Sequence, residues 1–234
     1  MIASKKSALI STFATLLSLV VLARPTAAQS YNAAGDFSTA SNPNGAWSYG
    51  SSTGLASAFI PSSIPTNGYG APGVNGWLGT ATGSGNPYVL HNGTAHNVTN
   101  ANSVYQPGQL VQQPGQQGQY SIVRWTAPFS AIFSINATFA GLSSLGDSAD
   151  VHILLDGTPI FNSTVFGSPS PTSFSASRSI IAGDRIDFAV GFGNGDPNED
   201  NTSLSATIVP EPGTLGLVGM SLGFLLSFRF LKRK

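Results

Sequence analysis

Apolar and polar positions alternate with a period of two along the second half of the chain. Tyr120 to Thr126 predicts one strand, closed by Ala127-Pro128. Ala131 to Phe139 predicts the next, with Phe133, Ile135 and Phe139 on one face. Asp150 to Leu155 and Ile160 to Val165 flank Asp156-Gly157, a dipeptide that predicts a hairpin. Ser173 to Ile181 alternates serine with larger residues, and Gly183-Asp184 predicts a turn. Arg185 to Val190 points Ile186, Phe188 and Val190 inward and Asp187 outward. Ser203 to Ile208 points Leu204, Ala206 and Ile208 inward. Seven short strands without an amphipathic helix among them predict an all-β, antiparallel β-sandwich or jelly roll. Residues 30–119 are less regular. Trp47, Tyr49, Leu55, Phe59, Trp77, Leu78, Tyr88, Val89 and Leu90 offer edge strands, and residues 112–119 read as a low-complexity loop. No second core is evident there, so residues 29–208 are taken as one ectodomain; independent folding of 30–119 is the alternative.

The two ends carry continuous apolar runs. Lys5 and Lys6 precede an apolar stretch from Ala8 to Ala23, and Thr26-Ala27-Ala28 supplies small residues for cleavage. Residues 1–28 are therefore expected to be a signal peptide, removed by signal peptidase. Residues 214–231 are apolar apart from serines, Thr214 and Arg229. As a helix they would be about 27 Å long, close to the hydrocarbon thickness. Arg229, Lys232, Arg233 and Lys234 would hold the tail (232–234) on the cytoplasmic side, leaving the body outside the inner membrane, facing the periplasm.

Val209-Pro210-Glu211-Pro212, a short apolar span and a basic finish, in that order, resemble the PEP-CTERM sorting signal of Gram-negative bacteria. The resemblance implies that residues 209–234 are recognised by an exosortase and cut near Pro210-Glu211-Pro212. The cargo would then pass to the cell surface or extracellular matrix, in association with exopolysaccharide. Proline fixes φ and offers no N–H, so this stretch is expected to stay extended, unpaired and accessible. A plain C-terminal anchor with a proline-rich stem is the alternative.

Composition narrows the function. Only 9% of residues are charged, and 27 glycines and 15 prolines favour turns over helix. The absence of cysteine removes disulfides, thiolate metal sites and thiol nucleophiles. The formal net charge of zero hides an acidic body. Between residues 30 and 210, three arginines face nine carboxylates, a net charge of −6. A body without clustered bases does not suit nucleic acid.

A second resemblance covers most of the body. Asp36-Phe37-Ser38, Asn42-Pro43-Asn44-Gly45 with Trp47-Ser48-Tyr49-Gly50, Val123 to Pro128, Asp150-Val151-His152 with Asp156-Gly157-Thr158, and Gly183 to Gly191 resemble an ectodomain often joined to PEP-CTERM tails. That ectodomain is similar to carbohydrate-binding β-sandwiches and implies no catalytic set. Gln113-Pro114-Gly115 departs from its His-Pro-Gly.

The residues offer several chemistries. Trp47, Tyr49, Trp77 and Tyr88 are candidate glycan contacts, since aromatic faces stack on sugar rings. Asp196, Glu199 and Asp200 lie in an oxygen-rich turn and are candidate Ca²⁺ ligands, although the spacing is not that of an EF-hand and no cofactor is required. Paired carboxylates are the signature of glycoside hydrolysis, and Asp184/Asp187 and Asp147/Asp150 each flank the start of a strand, where turn and edge roles explain all four. His91 and His96 lack a third ligand nearby, His152 faces away from Val151 and Ile153, and no G-x-S-x-G elbow is present. The expectation is a non-catalytic, exported surface or matrix protein that is adhesive or glycan-binding. The alternative is a polysaccharide-active hydrolase or lyase using acidic residues.

Overall fold

The computed structural model describes residues 29–212 apart from 80–84, 147, 194 and 197. The expected signal peptide, the span at 214–231 and its basic finish lie outside the described residues. Among those described, no helix is long and apolar enough to cross a membrane. Residues 30–209 form one compact body.

In chain order the strands are β1 (Tyr31–Asn32), β2 (Trp47–Ser52), β3 (Ile60–Pro61), β4 (Ile64–Thr66), β5 (Val74–Leu78), β6 (Tyr88–Asn92), β7 (Val98–Asn100) and β8 (Ser103–Tyr105). They continue with β9 (Leu110–Gln113), β10 (Tyr120–Thr126), β11 (Ala131–Gly141), β12 (Ser148–Leu155), β13 (Thr158–Phe166), β14 (Pro171–Ile180), β15 (Arg185–Gly191) and β16 (Thr202–Pro210). One sheet runs β14-β11-β16-β9-β6-β5-β4, with β1 beside β16. The second runs β13-β12-β15-β10-β2-β3, and β7 and β8 form a separate ribbon. The pairings are antiparallel, and apolar residues of both sheets bury one another, so the architecture is an antiparallel β-sandwich.

The seven strands expected from the alternating pattern are all present, and their inward positions are buried: Phe133, Ile135, Phe139, Ile186, Phe188, Val190, Leu204, Ala206 and Ile208. Asp156 and Gly157 make the expected turn, both with positive φ, at 48° and 79°. Residues 30–119 supply strands to both sheets: β2 pairs with β10, and β6 pairs with β9.

Three expectations change. The low-complexity stretch begins as the end of β9, with Gln112 fully buried. Its Nε2 donates to the carbonyls of Ser121 (2.9 Å) and Phe188 (3.1 Å), so this amide ties one sheet to the backbone of the other. Asp187 does leave the core side of β15 but is buried, because residues covering that face close over it. The strand β16 continues through Val209 and Pro210, both half-buried, while Glu211 and Pro212 beyond it are exposed. Proline lacks a ladder donor and is tolerated at a strand's end, so Pro210 ends the strand instead of excluding it.

Asp36 and Asn42, from two of the motifs singled out in the sequence, serve this frame. Asp36 accepts from the indole of Trp47 (3.1 Å) and from the Asn32 backbone (2.9 Å). Asn42 clamps β2, donating to the carbonyls of Tyr49 and Ser62 at 2.7 Å and accepting from the Tyr49 N–H.

Candidate functional site

The four aromatic candidates for stacking on sugar do not form a platform. Trp47, Tyr49 and Trp77 are buried, at 1%, 0% and 6% exposure. Trp47 packs towards Phe188, Tyr49 against Phe37, and the Trp77 indole donates to the Ser38 carbonyl at 2.8 Å. Their bulk fills the space between the sheets, which is why these rings sit inside although their neighbours in sequence are polar. Burial, with Asp36 nearby, pushes the Tyr49 hydroxyl far above the ordinary tyrosine range.

Tyr88 stands elsewhere. It is half-buried in the wall of a concave cup of about 240 Å³. Asn86, Asn100, Gln113, Gln116, Asn198, Glu199 and Asn201 complete most of the lining. The floor is organised by Asn201. Its Oδ1 accepts from the hydroxyls of Tyr88 (2.7 Å) and Tyr105 (3.1 Å), and its Nδ2 donates to Ser103 Oγ (3.2 Å). A buried amide with its oxygen and nitrogen both committed cannot rotate freely, so Tyr88 is held in place. Two acceptors of the lining, Asn86 Oδ1 and Glu199 Oε2, are buried without a hydrogen-bond partner among the described residues. Glu199 Oε1 accepts from Asn102 at 3.1 Å. Among the described residues no arginine or lysine lines the cup. Amides and a carboxylate in a cavity of this kind suit a neutral ligand rich in hydroxyls, each of which donates and accepts.

Sequence reasoning missed Asn86, Asn100, Gln116 and Asn201 as cup residues. The signals were the glutamine-rich stretch after Leu110 and the oxygen-rich turn before Thr202, which converge only through the pairing of β9 with β16.

The candidate Ca²⁺ ligands are dispersed in role. Asp196 is exposed, and its Oδ1 accepts from the backbone and side-chain amides of Asn198. Glu199 belongs to the cup and Asp200 is buried. Among the described residues no three His, Asp or Glu side chains are grouped as metal ligands.

The acidic pairs have other partners. Asp187 receives two hydrogen bonds from Arg124, and Asp184 accepts from the Ile181 N–H at 2.9 Å. Asp147 lies outside the described residues. Asp150 Oδ2 accepts from the Tyr120 hydroxyl and lies 2.7 Å from His152 Nε2; His152 Nδ1 lies 2.6 Å from Asn162 Oδ1. Both ring nitrogens thus face acceptors, an arrangement that the doubly protonated imidazolium satisfies. Burial works against that charge, but the bonds to Asp150 and Asn162 and the Asp150 charge outweigh it and raise the His152 pKa. Burial likewise pushes Asp150 up, and the bonds from His152 and Tyr120 overcome it to leave the carboxyl below its ordinary value. A histidine engaged at both nitrogens is not free to act as a base. His91 stacks on Phe37, and burial lowers its pKa.

No protein-family model matches the chain, and no curated protein does. Several solved structures are similar to it. The CBM51 from Clostridium perfringens GH95, in complex with methyl-galactose, is 10% identical over 64% of this chain and 94% of that chain, with a TM-score of 0.37. A family 35 carbohydrate binding module from Clostridium thermocellum is 13% identical over 62% of this chain and 89% of that one, with a TM-score of 0.29. A structure of CBM51-2 with GlcNAc and INT domains from Clostridium perfringens ZmpB is 12% identical, with a TM-score of 0.38; the match covers 64% of this chain and 30% of that one.

Proposed function

We propose that the chain is a non-catalytic, exported surface or matrix protein whose β-sandwich holds a neutral glycan, part of an exopolysaccharide or surface polymer, in the cup around Tyr88 and Asn201. The observation that carries this reading is the cup itself: among the described residues its lining is rich in amides, with Tyr88 and Glu199 and without a cation. Amides both donate and accept, and sugar hydroxyls do the same. An anionic sugar would meet Glu199 with no base among the described residues of the lining to offset it, so the cup discriminates against uronates.

Export completes the reading. Signal peptidase removes residues 1–28, the span at 214–231 holds the precursor in the inner membrane, and an exosortase processes Pro210-Glu211-Pro212. The exposure of Glu211 and Pro212 directly after the last strand supports access by such an enzyme.

The test is binding of the full-length chain to an array of neutral and uronate-containing oligosaccharides. Neutral glycans are expected to bind, with at least a tenfold loss in Asn100→Ala and Gln116→Ala. Binding of uronates alone, or neutral binding indifferent to both substitutions, would remove the cup from the account.

A further inference from the structure

A second concavity lies across the 114–119 turn from the cup, with Gln116 lining the cup and Gly118 lining this cleft. Tyr120, Asp150, Phe192 and Gly193 complete its lining, and its volume is about 250 Å³. Three features make it more than a gap between loops. Tyr120 and Phe192 are half-buried, so each presents part of an aromatic ring while being held by its strand or turn. Gly191 is bare where it must be: a Cβ there would stand 2.5 Å from Asp150 Oδ1 and 2.5 Å from the Tyr120 ring. The carboxylate and the ring therefore lie close against the strand because that position has no side chain. Finally, Asp150 is held by two side chains. Its Oδ2 takes the Tyr120 hydroxyl and His152 Nε2, each at 2.7 Å, and Oδ1 is the oxygen turned towards Gly191.

The charge of the cleft indicates the class of ligand. Asp150 Oδ2 is engaged by His152 and Tyr120, and His152 is oriented in turn by Asn162 of β13. The carboxylate is thus already hydrogen-bonded on one oxygen. Its remaining lone pairs, 22% exposed at the side chain, suit neutral O–H donors. Aromatic walls beside such an acceptor suit a ring with one apolar face and hydroxyls at its edge.

We propose that this cleft is a second glycan-binding site, separate from the cup, that receives a neutral sugar ring between Tyr120 and Phe192 and accepts its hydroxyls at Asp150 Oδ1. Two sites on one chain can engage two segments of polymer, so the protein gains avidity on a polysaccharide and can cross-link it. The second site does not depend on the cup: either can bind with the other disabled.

Calorimetric titration of the full-length chain with neutral hexasaccharides of glucose, galactose, mannose and N-acetylglucosamine tests this. Two ring-binding equivalents per chain are expected with at least one of these probes. Phe192→Ala should remove one and leave the other, and Asn100→Ala should do the reverse. Tyr120→Phe keeps the ring but drops its bond to Asp150, so it should weaken the second equivalent several-fold while preserving the fold, as judged by an unchanged thermal transition in Phe192→Ala or, failing that, in Tyr120→Phe. One equivalent, abolished by Asn100→Ala and untouched by Phe192→Ala and Tyr120→Phe, would overturn the second site and leave the cup standing. One equivalent with the opposite sensitivities would overturn the cup and keep the cleft. No binding of any of the four probes would overturn both.

Discussion

Arg124 meets Asp187 through two near-parallel hydrogen bonds, Nε to Oδ1 at 2.6 Å and Nη2 to Oδ2 at 2.7 Å, beneath the ring of Phe59, whose centroid lies 4.2 Å from the guanidinium carbon. The two residues are direct cross-strand partners on β10 and β15. Their side chains are only 16% and 9% exposed, so the pair is largely removed from water. Removing one partner leaves the other charge buried, which typically costs about 3–5 kcal/mol. Asp187→Ala is therefore expected to lower stability to chemical denaturation by nearly that amount, and Phe59→Ala by less. Loss of any activity in an Asp187 variant would thus report lost folding before it reported lost acid–base chemistry. A denaturation midpoint unchanged in Asp187→Ala would show that the pair is not holding β10 to β15.

The Asp150–His152 pair predicts a pH dependence. His152 has its pKa raised on folding, so its contribution is fully present below the ordinary value of 6.5 and is lost as pH rises through the higher folded value. Asp150 has its pKa lowered, so its contribution is present above 3.8 and is lost as pH falls through the lower folded value. Both contributions coincide between these limits. The thermal transition of the wild type should exceed that of His152→Gln most clearly near pH 5 to 6, and the gap should narrow above neutrality. A gap that widens towards pH 9 would contradict the charged pairing.

Trp47 and Tyr88 should separate stability from binding. Trp47→Ala opens a large void in the core and is expected to cost about 3–5 kcal/mol. Tyr88→Phe removes one hydrogen bond to Asn201, worth about 1 kcal/mol, while Tyr105 still donates to the same oxygen. Glycan affinity should nevertheless fall more in Tyr88→Phe than in folded Trp47→Phe. The reverse order, in thermal melts paired with binding curves, would return the stacking role to Trp47.

The contrast between these two residues also shows what could be read from the sequence. Apolar residues at every second position made β10 to β16 legible, whether one face is buried, as in β11, or both, as in β15. The stretch Trp47–Ser52 alternates only as far as Tyr49, and β3, β4, β7 and β8 are too short to show a period. Gln112 looked like loop because a buried glutamine is explained only by the carbonyls of Ser121 and Phe188, 9 and 76 residues away. Asp187 looked solvent-facing because Arg124, the partner that covers it, lies 63 positions away. The cup was illegible for the same reason: Tyr88 and Asn201 are 113 positions apart and meet through sheet pairing. Charge, by contrast, was legible throughout, since a count of residues needs no geometry.

Processing makes a prediction of its own. Mass spectrometry of the surface or secreted protein should find a chain that begins near Gln29 and ends near Pro210-Glu211-Pro212. Because β16 runs through Pro210, a cut upstream of Val209 would remove part of a strand, and the product should be less stable than one ending at or after Pro210. Intact ends at Met1 and Lys234 would speak against both leader removal and sorting.

The central claim is that this chain holds glycan without cleaving it. Co-sedimentation of the purified protein with the producing cell's own exopolysaccharide, followed by sizing of the polymer, tests it directly. The account predicts that the wild type sediments with the polymer, that Asn100→Ala and Gln116→Ala reduce the bound fraction at least several-fold, and that the polymer keeps its length. Protein left wholly in the supernatant, or polymer shortened by the wild type, would contradict it.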